Sequence, residues 1–142
     1  MFFKQAGIIF LFCLLPAWAW GEHVHWMGDY QKAHLKAKKY ARPMVILVVK
    51  QHDPSSDRIL RQVFTDRDYI HALNRQTVPV IVTYESQMNY PVEIYYTTVF
   101  PTLFYVDPQQ EIFLKRPLYG EQIINTDMAR YLKGTSNNPA SP

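Results

Sequence analysis

The stretch MVILVVKQHDPSSDRIL, residues 44–60, joins a run of apolar residues to an amphipathic segment. Residues 44–49 are unbroken and rich in β-branched side chains, which is typical of a central strand covered on both faces. From Ser56 onward the apolar residues recur at helical spacing, at Ile59, Leu60, Val63 and Phe64. Asp53, with Pro54 at the first helical position, predicts a capped helix start. This strand, turn and helix predict an α/β fold.

Two further helices and a second strand are expected around this unit. Residues 29–41 carry an apolar stripe between lysines and end at Arg42 and Pro43; the stripe consists of Met27, Tyr30, Ala33, Ala37 and Ala41. TDRDYIHALN, residues 65–74, restarts a helix with Thr65 as its N-cap and with Tyr69, Ile70 and Leu73 facing inward. VPVIVTY, residues 78–84, predicts a strand. Because helices connect it to residues 44–49, the two strands are expected to be parallel.

The second half of the chain predicts a hairpin and a closing helix. In the connection 85–98, Pro91 is placed to begin a short helical turn through Tyr95. TLFYV (102–106) and EIFL (111–114) flank the turn DPQQ. Residues 121–133 predict one helix that ends at Gly134, with Ile124, Met128, Tyr131 and Leu132 on one face. The expected architecture is a mixed sheet of four strands, or five, with helices on both faces.

The first nineteen residues have the layout of a secretory signal peptide. One lysine precedes an apolar run from Ala6 to Leu15, and Ala17-Trp18-Ala19 offers a small-x-small exit. Cleavage after Ala19 removes Cys13, the only cysteine. We expect a signal peptide (1–19), one domain (20–134), a disordered tail (135–142) and a periplasmic or secreted protein with no stable membrane span. An uncleaved N-terminal anchor is the alternative.

The charge pattern gives little support to nucleic-acid binding. The net charge is only +3, and the basic residues are scattered among twelve acidic ones rather than forming a long block. No nucleic-acid partner is therefore expected.

Three segments carry a family resemblance. The first has Ala33, Ala37, Lys38, Lys39, Arg42 and Pro43 leading into MVILVV; the others are QVFTDRDYI (62–70) and VFPTLFYVDPQQEIF (99–113). From about Trp26 to Leu132 the chain resembles the thioredoxin superfamily, in particular its exported thioredoxin-like domains. The resemblance implies a thioredoxin-like fold, with a cis peptide between Phe100 and Pro101.

The same resemblance aligns the family's Cys-x-x-Cys with Asp53, Pro54, Ser55 and Ser56, and its usual tryptophan with His52. Thiol–disulfide exchange needs a thiolate and a second thiol, and these positions supply neither. We therefore expect no redox activity, no cofactor and no catalytic residues. A hydrolase is disfavoured as well, because adjacent residues at a helix start cannot form a catalytic triad.

Two interpretations of this site stay open. In the first, the site is only a capped helix start. In the second, it is one side of a groove; the resemblance implies that a partner's extended segment lies in this groove and hydrogen-bonds to the backbone beside the proline. The candidate groove residues are His52, Asp53, Pro54, Ser55, Ser56, Phe100, Pro101 and Thr102. The expected partner is a protein or peptide held without a covalent bond.

Other features suggest weaker hypotheses. His23 and His25 are weak candidates for copper or zinc ligands, with Glu22 beside them. His34 and His71 are expected at the solvent edges of their helices. Tyr90, Tyr95 and Tyr96, if exposed together, would mark a partner or homodimer surface. A structural subunit of an envelope assembly is a further alternative.

Overall fold

The computed structural model describes residues 22–84 and 89–133. The first half contains three helices and two strands: α1 (Tyr30–Tyr40), β1 (Met44–Lys50), α2 (Pro54–Val63), α3 (Arg67–Gln76) and β2 (Val78–Tyr84). The second half contains three strands and two short helices: β3 (Thr102–Asp107), β4 (Ile112–Phe113), β5 (Leu118–Tyr119), α4 (Glu121–Asn125) and α5 (Met128–Lys133). Within these residues no helix has the length and hydrophobicity needed to cross a bilayer.

The sheet is mixed and has five strands. β1 lies between β2, to which it is parallel, and β3, to which it is antiparallel. β4 and β5 both pair with β3, and β5 was not predicted from the sequence. The register places Val48 opposite Thr102, so the end of β1 and the beginning of β3 lie at the same edge of the sheet. This register brings the candidate site residues toward one another.

Apolar side chains cover both faces of the sheet. On one face, Val45, Leu47 and Leu103 pack with buried residues of α2 to α5. On the other, alternate strand residues such as Ile46 and Phe104 pack with α1. Alternation follows from the pleat of a strand, so an unbroken apolar run such as β1 requires helices on both sides. The predicted three-layer arrangement is therefore confirmed.

Helix ends differ from the sequence prediction in two places. Asp66, and not Thr65, caps α3, because its Oδ1 accepts hydrogen bonds from the N–H groups of Asp68 and Tyr69 at 2.9 and 3.3 Å. The Thr65 hydroxyl instead donates to the carbonyl of Arg61 at 2.9 Å and so belongs to the end of α2. The predicted helix 121–133 is two helices. Its break falls at Thr126, where the backbone is extended, and Asp127 accepts from the N–H of Arg130 at 3.2 Å.

Of two other local predictions, the turn begun by Pro91 is confirmed and the exposure of His34 is wrong. Residues 91–95 form one hydrogen-bonded turn, in which the N–H groups of Ile94 and Tyr95 donate to the carbonyl of Pro91. His34 does not lie at a solvent edge, since its side chain is 12% exposed and Nε2 is 2.7 Å from the carbonyl oxygen of Pro108. The expected signal peptide, the cleavage after Ala19, the Gly134 cap and the tail lie outside the described residues.

Candidate functional site

The candidate site is built on the edge of the sheet where β1 ends. Gln51 and His52 form the turn that leads from Lys50 to Asp53, and His52 has a left-handed backbone with φ of 58°. Histidine tolerates this conformation better than β-branched residues do. The chain therefore reverses within two residues and starts α2 beside the strand end.

Residues 52–56 form what we call the helix-start wall. The Asp53 carboxylate accepts two hydrogen bonds from Ser56, from its backbone N–H at 2.9 Å and from its hydroxyl at 2.8 Å. Pro54 occupies the first turn of α2, where a missing N–H costs nothing. The predicted cap is confirmed. Ser56 is only 1% exposed, so its side chain supports the wall and does not reach solvent.

Residues 97–102 form the opposite side, here called the loop wall. The peptide between Phe100 and Pro101 is cis, as the resemblance implied. The buried hydroxyls of Thr97 and Thr102 lie 2.9 Å apart, and the Thr102 hydroxyl donates to the carbonyl of Val99 at 2.6 Å. Thr97 Oγ1 accepts from the N–H of Val99 at 3.1 Å. These contacts fold the loop back on itself before β3 begins.

A third segment, at the start of α4, also stabilises the loop wall. Gly120, which precedes α4, donates its N–H to the carbonyl oxygen of Pro101 at 2.8 Å. Its φ of 52° and ψ of −118° form a combination that suits glycine. The preceding residue, Tyr119, pairs with Thr102 in the sheet. The loop wall is thus fixed between β1 and β5.

One aromatic ring and one cationic group lie beside Phe100. Its ring centroid lies 5.1 Å from that of Tyr84, at the end of β2, and 5.8 Å from Nζ of Lys50. Arg58 of α2 forms an ion pair with Glu121 of α4. Burial, and secondarily the charge of Tyr84, raise the pKa of Tyr90. The site edge thus combines an aromatic centre with the basic group of Lys50.

Two solved structures share this architecture. A thioredoxin from Thermus thermophilus superposes with a TM-score of 0.61 at 18% identity, covering 78% of this chain and 83% of that one. A protein named DsbH oxidoreductase gives a TM-score of 0.58 at 16% identity, covering 70% of this chain and 74% of that one. No family model matches the sequence, and no curated protein matches it significantly. The chain has a thioredoxin-like fold.

The thioredoxin-like domain exposes only part of the predicted site. His52, Pro54 and Ser55 are exposed, and Asp53 and Phe100 are partly exposed. Pro101, Thr102 and Ser56 are buried. Val99, which was not predicted, is 44% exposed on the loop wall. The accessible surface is therefore smaller than the predicted set and shifted toward Val99 and Phe100.

Sequence reasoning also missed the residues that support the site. Four residues outside the predicted set contact Phe100, Pro101 or Thr102, namely Thr97, Gly120, Lys50 and Tyr84. Thr102 was predicted because it follows Pro101, whereas the role of Thr97 shows only in the contacts of its buried hydroxyl. Contacts between distant segments leave no local pattern.

The weak metal hypothesis finds no further ligand in the described part of the chain. The rings of His23 and His25 lie 5.5 Å apart and both side chains are exposed. Glu22 instead contacts Nε2 of His71 at 2.8 Å, so the exposed His71 is tied to the N-terminal segment. Residues 22–84 and 89–133 contain no group of three His, Cys, Asp or Glu side chains suited to a metal ion.

The three tyrosines of the predicted patch are not exposed together. Tyr96 is 65% exposed, but Tyr90 and Tyr95 are 8% and 1% exposed. The hydroxyl of Tyr95 lies 2.9 Å from that of Tyr30 in the core. These residues therefore give no continuous surface for a partner or a second copy.

Proposed function

We propose that this protein is an exported, redox-inactive thioredoxin-like domain that binds an extended protein or peptide segment without a covalent bond. The observation that carries the proposal is the pairing of Val48 with Thr102, which puts the helix-start wall and the loop wall at one sheet edge. On these walls, His52, Ser55, Val99 and Phe100 have exposed or partly exposed side chains. The periplasm or the exterior is the proposed location, on the strength of the N-terminal sequence.

The backbone of the loop wall suits an extended partner. Neither the N–H nor the C=O group of Phe100 makes a hydrogen bond with any residue in the described ranges. An extended peptide pairs with such groups as it would with a sheet edge, while its side chains contact the flanking surface. Phe100 adds a partly exposed aromatic ring, and aromatic rings contribute strongly to binding surfaces.

The proposal includes no thiol–disulfide exchange, because the residues of the site lack the groups that this reaction needs. Residues 14–142 contain no cysteine, so the folded domain has no thiolate to attack a disulfide and no second thiol to resolve it. Asp53 and Ser56 bind each other at the helix start. The site therefore offers shape and hydrogen bonds and no sulfur chemistry.

A photoreactive residue at Gln51, an exposed position next to the helix-start wall, tests the proposal in exporting cells without adding bulk to either wall. Crosslinking followed by mass spectrometry identifies the partner and the contacted segment. That segment, made as a peptide, is then titrated against purified wild type and variants. We expect Phe100→Ala and Ser55→Tyr to weaken binding at least tenfold, an order of magnitude reasonable for central contact residues.

Matched controls separate binding from folding. Phe113→Ala removes an exposed phenylalanine that lies near a tyrosine, with its ring centroid 6.4 Å from that of Tyr95. Gln62→Tyr introduces the same tyrosine side chain as Ser55→Tyr, at an exposed position near the end of α2. Both controls should keep the wild-type Kd. Equal loss in the control and site variants, or disulfide reduction by the purified protein at a rate above background, contradicts the proposal.

A further inference from the structure

The outer surface of α1 gathers much of the positive charge of the protein. We define the basic face as Lys32, Lys36, Lys38, Lys39 and Arg42 together with Leu35 and Tyr40, all of which are exposed. Helix α1 itself has no acidic residue. These five are among fifteen basic residues in the chain, so the other ten are outnumbered by the twelve acidic residues. Basic residues that form no long block in the sequence therefore come together on this surface.

The charges of the basic face are not neutralised by the described residues. Three ion pairs occur in residues 22–84 and 89–133, namely His34–Glu111, Arg58–Glu121 and Glu22–His71, and none involves the basic face. The nearest carboxylate in sequence, that of Asp29, accepts the N–H of Lys32 at 3.0 Å as the N-cap of α1. The ammonium groups therefore remain available to an external anion.

An apolar side chain lies at the centre of these charges. Leu35 is 67% exposed, the highest value among the large apolar residues of the described chain. Residues three and four apart lie side by side on a helix, so Lys32, Lys38 and Lys39 flank it. Tyr40 is 54% exposed, and its ring lies 5.4 Å from Nζ of Lys39 and 5.9 Å from Cζ of Arg42. The face thus has an apolar centre and a cationic rim.

We propose that the basic face docks on an anionic phospholipid surface. Lysine side chains extend to the lipid phosphates while Leu35 enters the apolar layer beneath them and Tyr40 lies at the headgroup level. A convex helix face fits a flat, deformable bilayer without a matching cavity. A nucleic-acid backbone offers no apolar medium for Leu35. Because α1 and α2 cover opposite faces of the sheet, such docking leaves the proposed peptide groove free.

Vesicle flotation of the protein purified after export tests this docking. The probes are vesicles of phosphatidylcholine alone and vesicles with about one third phosphatidylglycerol. We expect binding to the anionic vesicles only, with loss as salt is raised, because each basic residue contributes separately to attraction by anionic lipid. The variant with Lys32, Lys36 and Lys39 changed to Gln should bind at least tenfold more weakly, and Leu35→Gln should weaken binding by a smaller factor.

The matched control changes Arg61, Arg67 and Arg75 to Gln, three exposed residues on α2 and α3. It alters the net charge by the same amount and should retain vesicle binding. Equal weakening in this control, equal binding to phosphatidylcholine, or unchanged binding of the lysine variant overturns the proposal. Failure to bind vesicles, combined with capture of an acidic protein that the lysine variant loses, would assign the face to a protein partner and also overturn it. Circular dichroism checks that each variant is folded.

Discussion

The two walls of the candidate groove are stabilised by different kinds of contact. The helix-start wall depends on contacts between Asp53 and Ser56, three residues apart. The loop wall depends on Thr97 and Thr102, on Gly120 from beyond β5, and on pairing with Val48. A local cap forms wherever a carboxylate precedes a helix, whereas the loop wall exists only in the assembled sheet. The loop wall should therefore be more sensitive to substitutions at remote positions.

Gly120→Ala is expected to have the largest effect on stability. A side chain at φ of 52° is strained, and its Cβ would lie 3.4 Å from Cγ1 of Val99. We expect the free energy of unfolding to fall by up to about 3 kcal/mol, with the loop wall displaced. Chemical denaturation measures the loss. Gly28→Ala is the control, since no atom lies within 4 Å of its added Cβ; similar losses in both variants would deny Gly120 a special role.

Asp53→Ala should cost about 2 kcal/mol, because it removes the cap and leaves the buried Ser56 hydroxyl without its acceptor. Asp66→Ala, which removes only the exposed cap of α3, should cost about 1 kcal/mol. Denaturant midpoints compare the two. Adding Ser56→Ala to Asp53→Ala should lower the free energy of unfolding little further, because the second change removes the unpaired hydroxyl. Equal costs for Asp53→Ala and Asp66→Ala would mean that the helix-start wall is an ordinary helix end.

The two threonines of the loop wall should differ in importance. Thr97→Val removes the acceptor of the Val99 N–H and should lower the free energy of unfolding by about 1 to 2 kcal/mol. Thr102→Val should cost at most about 1 kcal/mol, because the Thr97 hydroxyl lies 3.0 Å from the Val99 carbonyl and can donate to it instead. Thermal and urea unfolding measure both. The reverse order would show that Thr102 is the principal support.

High pH should destabilise the folded domain through its buried tyrosines, whereas the caps of the helix-start wall carry no tyrosine. Tyr95 leads into Thr97, and burial, followed by its contacts with Tyr30, raises its pKa. Burial, followed by the charge of Tyr105, raises the pKa of Tyr131 to about 12. Above pH about 10 the unfolded chain loses these protons first, so stability present below that pH falls by at most about 1.4 kcal/mol per pH unit for each tyrosine.

Urea unfolding between pH 8 and 11, roughly spanning the ordinary tyrosine pKa, measures this slope. Tyr95→Phe should reduce the slope, since one titrating group is lost from the core. Tyr96→Phe, which changes the exposed neighbour, is the control for the removal of a hydroxyl from this segment. A wild-type stability that stays constant across this range would contradict the prediction.

Much of the fold was predictable because its main elements carry strong local patterns. The apolar run of β1, the stripe of α1 and the Asp53 cap are properties of adjacent residues. β5 was missed because Leu118–Tyr119 is too short to show a periodic pattern. Helix 121–133 was predicted as continuous because its apolar spacing continues across Thr126, while the competing cap at Asp127 ends that continuity.

The site was only partly predictable, because several of its contacts join residues that form no local pattern. The sequence identified both walls through the family resemblance, but it could not show that Ser56 and Thr102 are buried or that Thr97 and Gly120 support the loop. Nor could it show that the lysines of α1 and Arg42 share one exposed surface around Leu35, which depends on the helix and on what covers it.

By itself, the sequence determined the order of the main strands and helices, the cap at Asp53 and the absence of cysteine from residues 14–142. These follow from residue chemistry and from periodicity within a few turns or strand residues. Only the tertiary structure decided which candidates face solvent, how Thr97, Pro101 and Gly120 meet, and which charges share a surface. Those properties depend on strand register and on the packing of segments far apart in the chain, which no local pattern encodes.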